Sequence, residues 1–211
     1  MLDKENFPFL IVIADWEFVG ETKTWLRILS HLSQSVEGNK QVAVQIRIKS
    51  VNQVDYEGLA HEALRVLGPN TRTILNGSLE DAQQLGYWGA HTQVASDIRV
   101  KRVKPGLNFV SMSVHDADQL RAAEQSQVSA VLCSPVFSPS WKSVKTMGLQ
   151  RLRQISQSSS VPVYALGGIT PPRCEACVDA GAIGVAVLSG IMSASNPNEA
   201  IAEYMQFCDQ G

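Results

Sequence analysis

Charge is scarce in this chain and evenly split. Charged residues make up 18%, and 18 Lys and Arg against 20 Asp and Glu leave a formal net charge of -2. With no basic field and no Lys/Arg cluster, neither nucleic acid nor an anionic membrane surface is indicated as a partner. Long apolar runs are missing too. The longest, Phe9 to Ala14, falls far short of the ~20 residues that a membrane-spanning helix needs. The opening MLDKENFPF carries acids and no signal-peptide core, so a cytoplasmic location is expected. Cysteine is limited to Cys133, Cys174, Cys177 and Cys208. Cys174 and Cys177 form a CxxC inside a predicted helix, with no second CxxC and no spaced His pair, so packing is expected there rather than a zinc or redox site. Apart from the short run QSSS at 157–160, no linker, fixed-period repeat or low-complexity tract divides the chain, and residues 1–211 read as one domain.

What is present is alternation. Strand patterns fall at 9–14, 41–48, 72–76, 88–92, 108–114, 130–136, 161–166 and 184–189. Helix patterns fill the gaps at 21–35, 52–67, 79–86, 98–103, 116–127, 147–158, 171–181 and 197–208, the fourth strand and fourth helix being the weakest. Strict alternation implies right-handed βαβ units around a parallel sheet. Eight such units predict a single closed (β/α)8 TIM barrel, with short loops because barrels usually run to ~250 residues.

The stretch VPVYALGGITPPRCEACVDAGAIGVAVLSG, residues 161–190, is the most informative. Two apolar strands flank a Pro-opened helix, and they end in Gly167-Gly168 and in Ser189-Gly190. Glycine turns beside helix N-termini present backbone N–H groups to an anion. In a barrel, phosphate sites of this kind follow the last two strands, which is where these turns lie.

The barrel also places functional side chains at the C-terminal ends of its strands. The polar residues there are Asp15, Gln45, Arg47, Lys49, Asn76, His91, Ser113, His115, Ser134 and Ser189. Gln45, Arg47 and Lys49 alternate with Ile46 and Ile48, so period two puts the polar set toward the mouth and the isoleucines toward the helices. Arg and Lys together suit phosphate or carboxylate. His115 follows Ser113 at the end of the fifth strand, with Asp116 capping the next helix and Gln119 at the capping-box position. An imidazole so placed can take and return a proton. His91 has the same placement on a weaker strand, and whether it joins the site is left open. His31 and His61 fall within helices and read as surface or packing residues. After Ser134 the segment SPSWKSVK, with Trp141, Lys142 and Lys145, reads either as a solvated loop or as a lid over a phosphorylated ligand.

QIRIK at 45–49, LNG at 75–77, SVH at 113–115, SPVF at 134–137, Lys142, ALGGIT at 165–170 and VAVLSGI at 185–191 form an ordered set. On these pieces the chain resembles the thiamine phosphate synthase / thiazole tautomerase (TenI-type) superfamily over nearly its whole length. SPVF and PVYALGG look most like the branch in which such barrels occur behind Nudix hydrolases. The resemblance implies a small phosphorylated thiazole as ligand. It implies substrate contacts from Gln45, Arg47, Lys49, Asn76, Ser113, Lys142, Gly167, Gly168, Leu188 and Ser189, with Arg47 or Lys49 for a carboxylate.

Two activities occur in the superfamily. The synthase joins a pyrimidine pyrophosphate to a thiazole phosphate, and its pattern has an Asp after the Asn of strand three and a second Asp after strand four, which hold magnesium. Here those places carry Gly77 and Ser96, with Asp97 one residue late, and Pro139 and Trp141 stand where the synthase loop has threonines. The tautomerase pattern has Asn-Gly and SVH, needs no metal or other cofactor, and assigns the proton transfer that aromatises a carboxylated thiazole phosphate to the histidine of SVH, here the catalytic candidate His115. The expectation is therefore a tautomerase without a metal. The alternatives are a synthase, the only case that calls for magnesium, and a non-catalytic homologue that binds thiamin intermediates. Small barrels often pair as homodimers, and the sequence does not decide that.

Overall fold

The computed structural model describes residues 7–49, 51–92, 106–138 and 144–208. Eight parallel strands close into a barrel in chain order. They are β1 (Leu10–Asp15), β2 (Val42–Arg47), β3 (Arg72–Asn76), β4 (Gly89–Thr92), β5 (Phe109–Val114), β6 (Ala130–Cys133), β7 (Val163–Leu166) and β8 (Gly184–Val187). Closure is made by β1 against β8, with Leu10 beside Val185 and Val12 beside Val187.

The period-two reading of the strands sets the two cores. Ile11, Ile13, Ala43, Ile74, Phe109, Leu132 and Tyr164 fill the barrel interior. Leu10, Val12, Ala14, Val42, Val44, Ile46 and Ile48 point outward and pack under the helices. Phe109 and Tyr164 meet edge to face, and the Tyr164 hydroxyl donates to the Pro8 carbonyl at 2.7 Å, which plugs the lower end of the barrel. The interior is thus packed at one end and open for chemistry at the other.

The helices among the described residues are α1 (Trp16–Val19), α2 (Thr22–Val36), α3 (Gln53–Leu67), α4 (Leu79–Gln84), α5 (Ala117–Gln125), α6 (Gly148–Ser158), α7 (Cys174–Asp179), α8 (Ser189–Met192) and α9 (Pro197–Met205). In α2 the apolar residues Trp25, Leu29, Leu32 and Val36 recur at helical spacing and are all buried. Side-chain caps start several helices. Asn52 accepts from the Asp55 amide at 3.0 Å, Ser78 from Asp81 at 3.0 Å and Asp116 from Gln119 at 2.9 Å.

Two short helices, α1 and α8, lie where the sequence pattern gives only loop. Four residues are too few to show a helical period. Pro171 opens a 3-10 turn, Pro171–Arg173, that leads into α7. The helix expected at 98–103 lies outside the described residues. Cys174 and Cys177 pack into the core as free thiols, and burial pushes them up to about 12 and about 11. His31 and His61 are exposed on α2 and α3. No helix among the described residues is long and apolar enough to cross a membrane.

Candidate active site

A cavity of about 440 Å³ opens at the C-terminal ends of the strands. It is lined by Ile13, Gln45, Arg47, Asn76, His91, Ser113, His115, Gln119, Ser134, Leu166 and Leu188. Sequence candidates from β2, β3, β5 and β8 are thereby brought together, and His91 from β4 joins them. Lys49 follows β2, half-buried, and its charge reaches His91. Lys142, and with it Ser96, Asp97, Pro139 and Trp141, lies outside the described residues.

The floor is a side-chain network. The Asn76 amide donates to Gln45 Oε1 at 2.9 Å. Gln45 Nε2 is buried without a partner, so the floor holds a donor with nothing to give to, which costs free energy until a ligand acceptor meets it. His91 is 2% exposed, with Nδ1 2.8 Å from Ser111 Oγ and Nε2 2.9 Å from Ser113 Oγ. Burial, then the charges of Arg47 and Lys49, push its pKa down to about 4. His91 is therefore a neutral hydrogen-bonding node near pH 7, and Ser113 is partly committed to it. Arg47 pairs with Asp15 and lies 3.9 Å from Glu17. Asp15 also caps α1 by accepting from the Phe18 amide at 3.1 Å. The Arg47 charge is countered before any ligand arrives.

His115 is exposed in the mouth, just past β5. Its Nδ1 lies 2.5 Å from the Ser134 carbonyl. A carbonyl can only accept, so Nδ1 carries a proton, and in the neutral ring Nε2 is the nitrogen with the lone pair. The Gln119 side chain accepts from the His115 amide at 2.7 Å. The capping-box spacing is thus used one residue early, on the histidine rather than on Asp116.

Leu166 and Leu188 complete the lining at β7 and β8, and the glycine turn follows directly after Leu166, outside that lining. Gly167 and Gly168 have φ of 101° and 59°, the left-handed region that favours glycine. A Cβ on Gly167 would come within 2.8 Å of Pro135 Cα, and one on Gly168 within 2.7 Å of the Ser138 carbonyl oxygen. Beside them Leu188 starts α8 with no side-chain cap. A glycine turn next to an uncapped helix start can hold an anion.

At the end of β3, a Cβ on Gly77 would meet the Tyr56 hydroxyl at 2.6 Å. Tyr56 Oη is buried without a partner, and burial, then Asp81, raises its pKa to about 12. A side chain at position 77 would therefore require the Tyr56 tip to shift. Among the described residues no group of three or more His, Cys, Asp or Glu is placed to hold a metal ion.

Three features escape the sequence: the paired serines on His91, the Asp15 partner of Arg47, and Tyr56 over Gly77. The first two depend on which residues the barrel register sets side by side, and the third on how α3 packs against the end of β3. Asp15 and Arg47 are register partners in β1 and β2, and His91 faces Ser111 across β4 and β5.

Eight parallel strands closed into a barrel, with a polar mouth at their C-terminal ends, define a (β/α)8 barrel. The family model described as thiamine monophosphate synthase matches residues 16–191, and the chain belongs to that family, one of thiamine biosynthesis. A thiamine-phosphate synthase of Koribacter versatilis is 29% identical over 205 residues, covering 95% of this chain and 96% of that protein. A putative thiamine-phosphate synthase 2 of Aquifex aeolicus is 32% identical over 189 residues, covering 87% and 97%. Among solved structures, a thiamine phosphate pyrophosphorylase from Pyrococcus furiosus superposes with a TM-score of 0.78 at 22% identity, covering 98% of each chain. That likeness speaks to the fold.

Proposed function

We propose that the mouth binds a phosphorylated thiazole and that His115 moves a proton on it, making the chain a tautomerase of thiamine biosynthesis. The phosphate rests on the Gly167–Gly168 turn and the start of α8 at Leu188–Ser189. Gln45 and Asn76 on the floor, and Arg47 or Lys49 at the rim, orient the ring and its carboxylate. His115 Nε2 takes a proton from one atom of the non-aromatic ring system and returns it at another, so the ring becomes aromatic with no change in composition or charge. Acid–base help of this kind contributes typically ~10²–10⁴-fold. The observation that carries the reading is the His115 Nδ1–H bond to the Ser134 carbonyl, which leaves Nε2 as the free base of the mouth.

A second reading, a transferase that couples a pyrimidine pyrophosphate to the thiazole phosphate, is favoured by the names of the relatives. It shares the phosphate site but depends on a metal carboxylate that Gly77 does not supply. The two readings separate in one experiment. Carboxythiazole phosphate tautomer is followed by ultraviolet absorbance with wild type and His115→Gln, and pyrophosphate release is measured in parallel with and without magnesium. Aromatisation by wild type alone supports the tautomerase. Magnesium-dependent pyrophosphate release establishes the transferase and overturns it. Neither activity, with ligand still bound, leaves a binding homologue.

A further inference from the structure

The loop after β6 touches both halves of the mouth. Ser134 offers its carbonyl to His115 Nδ1 at 2.5 Å. The next residues are fastened to the β7 turn: the Val136 amide donates to Leu166 at 2.8 Å and the Phe137 amide to Gly167 at 2.9 Å. Contact there leaves no slack, since a Cβ on Gly167 would strike Pro135 Cα at 2.8 Å. The far side is fixed as well, with the Met147 amide donating to Pro135 at 2.9 Å. Arg173 closes the arrangement from outside. Its Nη1 donates to the Gly168 carbonyl at 2.6 Å, and its guanidinium lies 4.6 Å over the Phe137 ring.

We infer that Ser134–Phe137 is a positioning element that ties the tautomer and aim of His115 to the Gly167–Gly168 turn, with the exposed Arg173 as its clasp. The inference rests on the proposed phosphate site and goes beyond it. Arg173 spends one nitrogen on a carbonyl and its face on a ring, which is the geometry of a guanidinium used as a brace. The turn cannot shift without moving Pro135, and Pro135 is bonded directly to the Ser134 carbonyl that fixes which nitrogen of His115 holds the proton. An anion seated on the turn therefore sets the base at the other side of the mouth. A substrate lacking its phosphate would be bound against a less ordered imidazole.

Long-range ¹H–¹⁵N spectra of the imidazoles test this, with His115→Gln assigning the signal and inorganic phosphate as the probe. In wild type the ring is expected as the Nδ1–H tautomer, and its signals should move together with the Gly167 and Gly168 amides as phosphate is added. Arg173→Ala, a change on the exposed surface, should still bind phosphate at those amides. Its His115 response should shrink to less than half, with both tautomers populated, and Arg173→Lys should restore it in part because a lysine can still reach the Gly168 carbonyl. An undiminished response in Arg173→Ala, or an Nε2–H tautomer in wild type, overturns the coupling while leaving the phosphate site standing. Phosphate that leaves the Gly167 and Gly168 amides unmoved overturns the phosphate site itself, and the coupling with it.

Discussion

The two sides of the mouth are built on different principles. Backbone makes the rim just past β7, where Gly167 and Gly168 sit at positive φ against Pro135 and Phe137. Side chains make the wall at β2 to β5, with Gln45, Asn76, His91 and Ser113 linked in pairs. A backbone anion site recognises charge and shape and is indifferent to the chemistry done beside it. A side-chain wall decides the chemistry, because its donors, acceptors and base must match one reaction. The two sides also differ in what they leave unsatisfied. Gln45 Nε2, without a partner, lies on the side-chain half, which is where a ligand has most to gain.

The largest effect expected is on turnover. His115→Gln should lower the proton-transfer rate by ~10²–10⁴-fold. Because the residue is exposed, folding stability should stay within ~0.5 kcal/mol. Loss of rate with unchanged KM, read from steady-state kinetics, would place the chemistry on the His115 side. A change confined to KM would break the comparison by making His115 a binding group.

His91 offers a second break, through pH. In the folded state its pKa is pushed down to about 4, whereas an unfolded imidazole titrates near ~6.5. The unfolded chain therefore takes up the proton first. The stability tied to the neutral ring is complete above pH ~6.5 and falls as the pH drops toward 4, by about 3 kcal/mol at the lower end. Urea denaturation at several pH values should show this slope in wild type and a flatter one in His91→Asn. Equal slopes would mean that burial, with the nearby Arg47 and Lys49 charges, does not hold the ring neutral.

Gly168→Ala probes the backbone rim. A left-handed φ of 59° and a Cβ within 2.9 Å of the Phe137 carbonyl carbon should cost ~1–3 kcal/mol of stability. Affinity for phosphate should fall in the same variant, measured by calorimetry, with the His91 pH slope unchanged. If instead the alanine leaves phosphate affinity intact, the turn is structural and the anion sits elsewhere.

The contrast between the two sides also explains what could be read from the chain alone. Alternating apolar runs give eight strands and their order, and period two correctly turns Ile46 and Ile48 outward beneath the helices. The glycine turns are local, so contiguous residues disclose them. The side-chain half is not local. Arg47 meets Asp15 through the register of β1 and β2, and His91 meets Ser111 and Ser113 through that of β4 and β5. Ser134 reaches His115 through a main-chain carbonyl, which any residue type supplies. Nothing in residue identity signals such a bond. Tyr56 over Gly77 joins α3 to the end of β3, a meeting fixed by helix packing and invisible to spacing.

The smallest effect expected lies at that last contact, and it sharpens the comparison most. Tyr56 Oη is buried without a hydrogen bond. Removing an unsatisfied hydroxyl leaves no orphan behind, so Tyr56→Phe should be neutral or stabilise by up to ~1 kcal/mol. Gly77→Ala in the parent chain brings a methyl to 2.6 Å from that oxygen, and the tyrosine tip must swing away. In the Tyr56→Phe background the same alanine meets no oxygen. A double-mutant cycle by urea denaturation should give a coupling of about 1 kcal/mol. Zero coupling would mean that the tyrosine yields freely, that position 77 is open to a larger side chain, and that the end of β3 is less committed against a metal carboxylate than its geometry indicates. A clear coupling would make Tyr56 and Gly77 a matched pair and predict that Gly77→Asp gains Mn²⁺ affinity only when Tyr56 is first reduced to Phe.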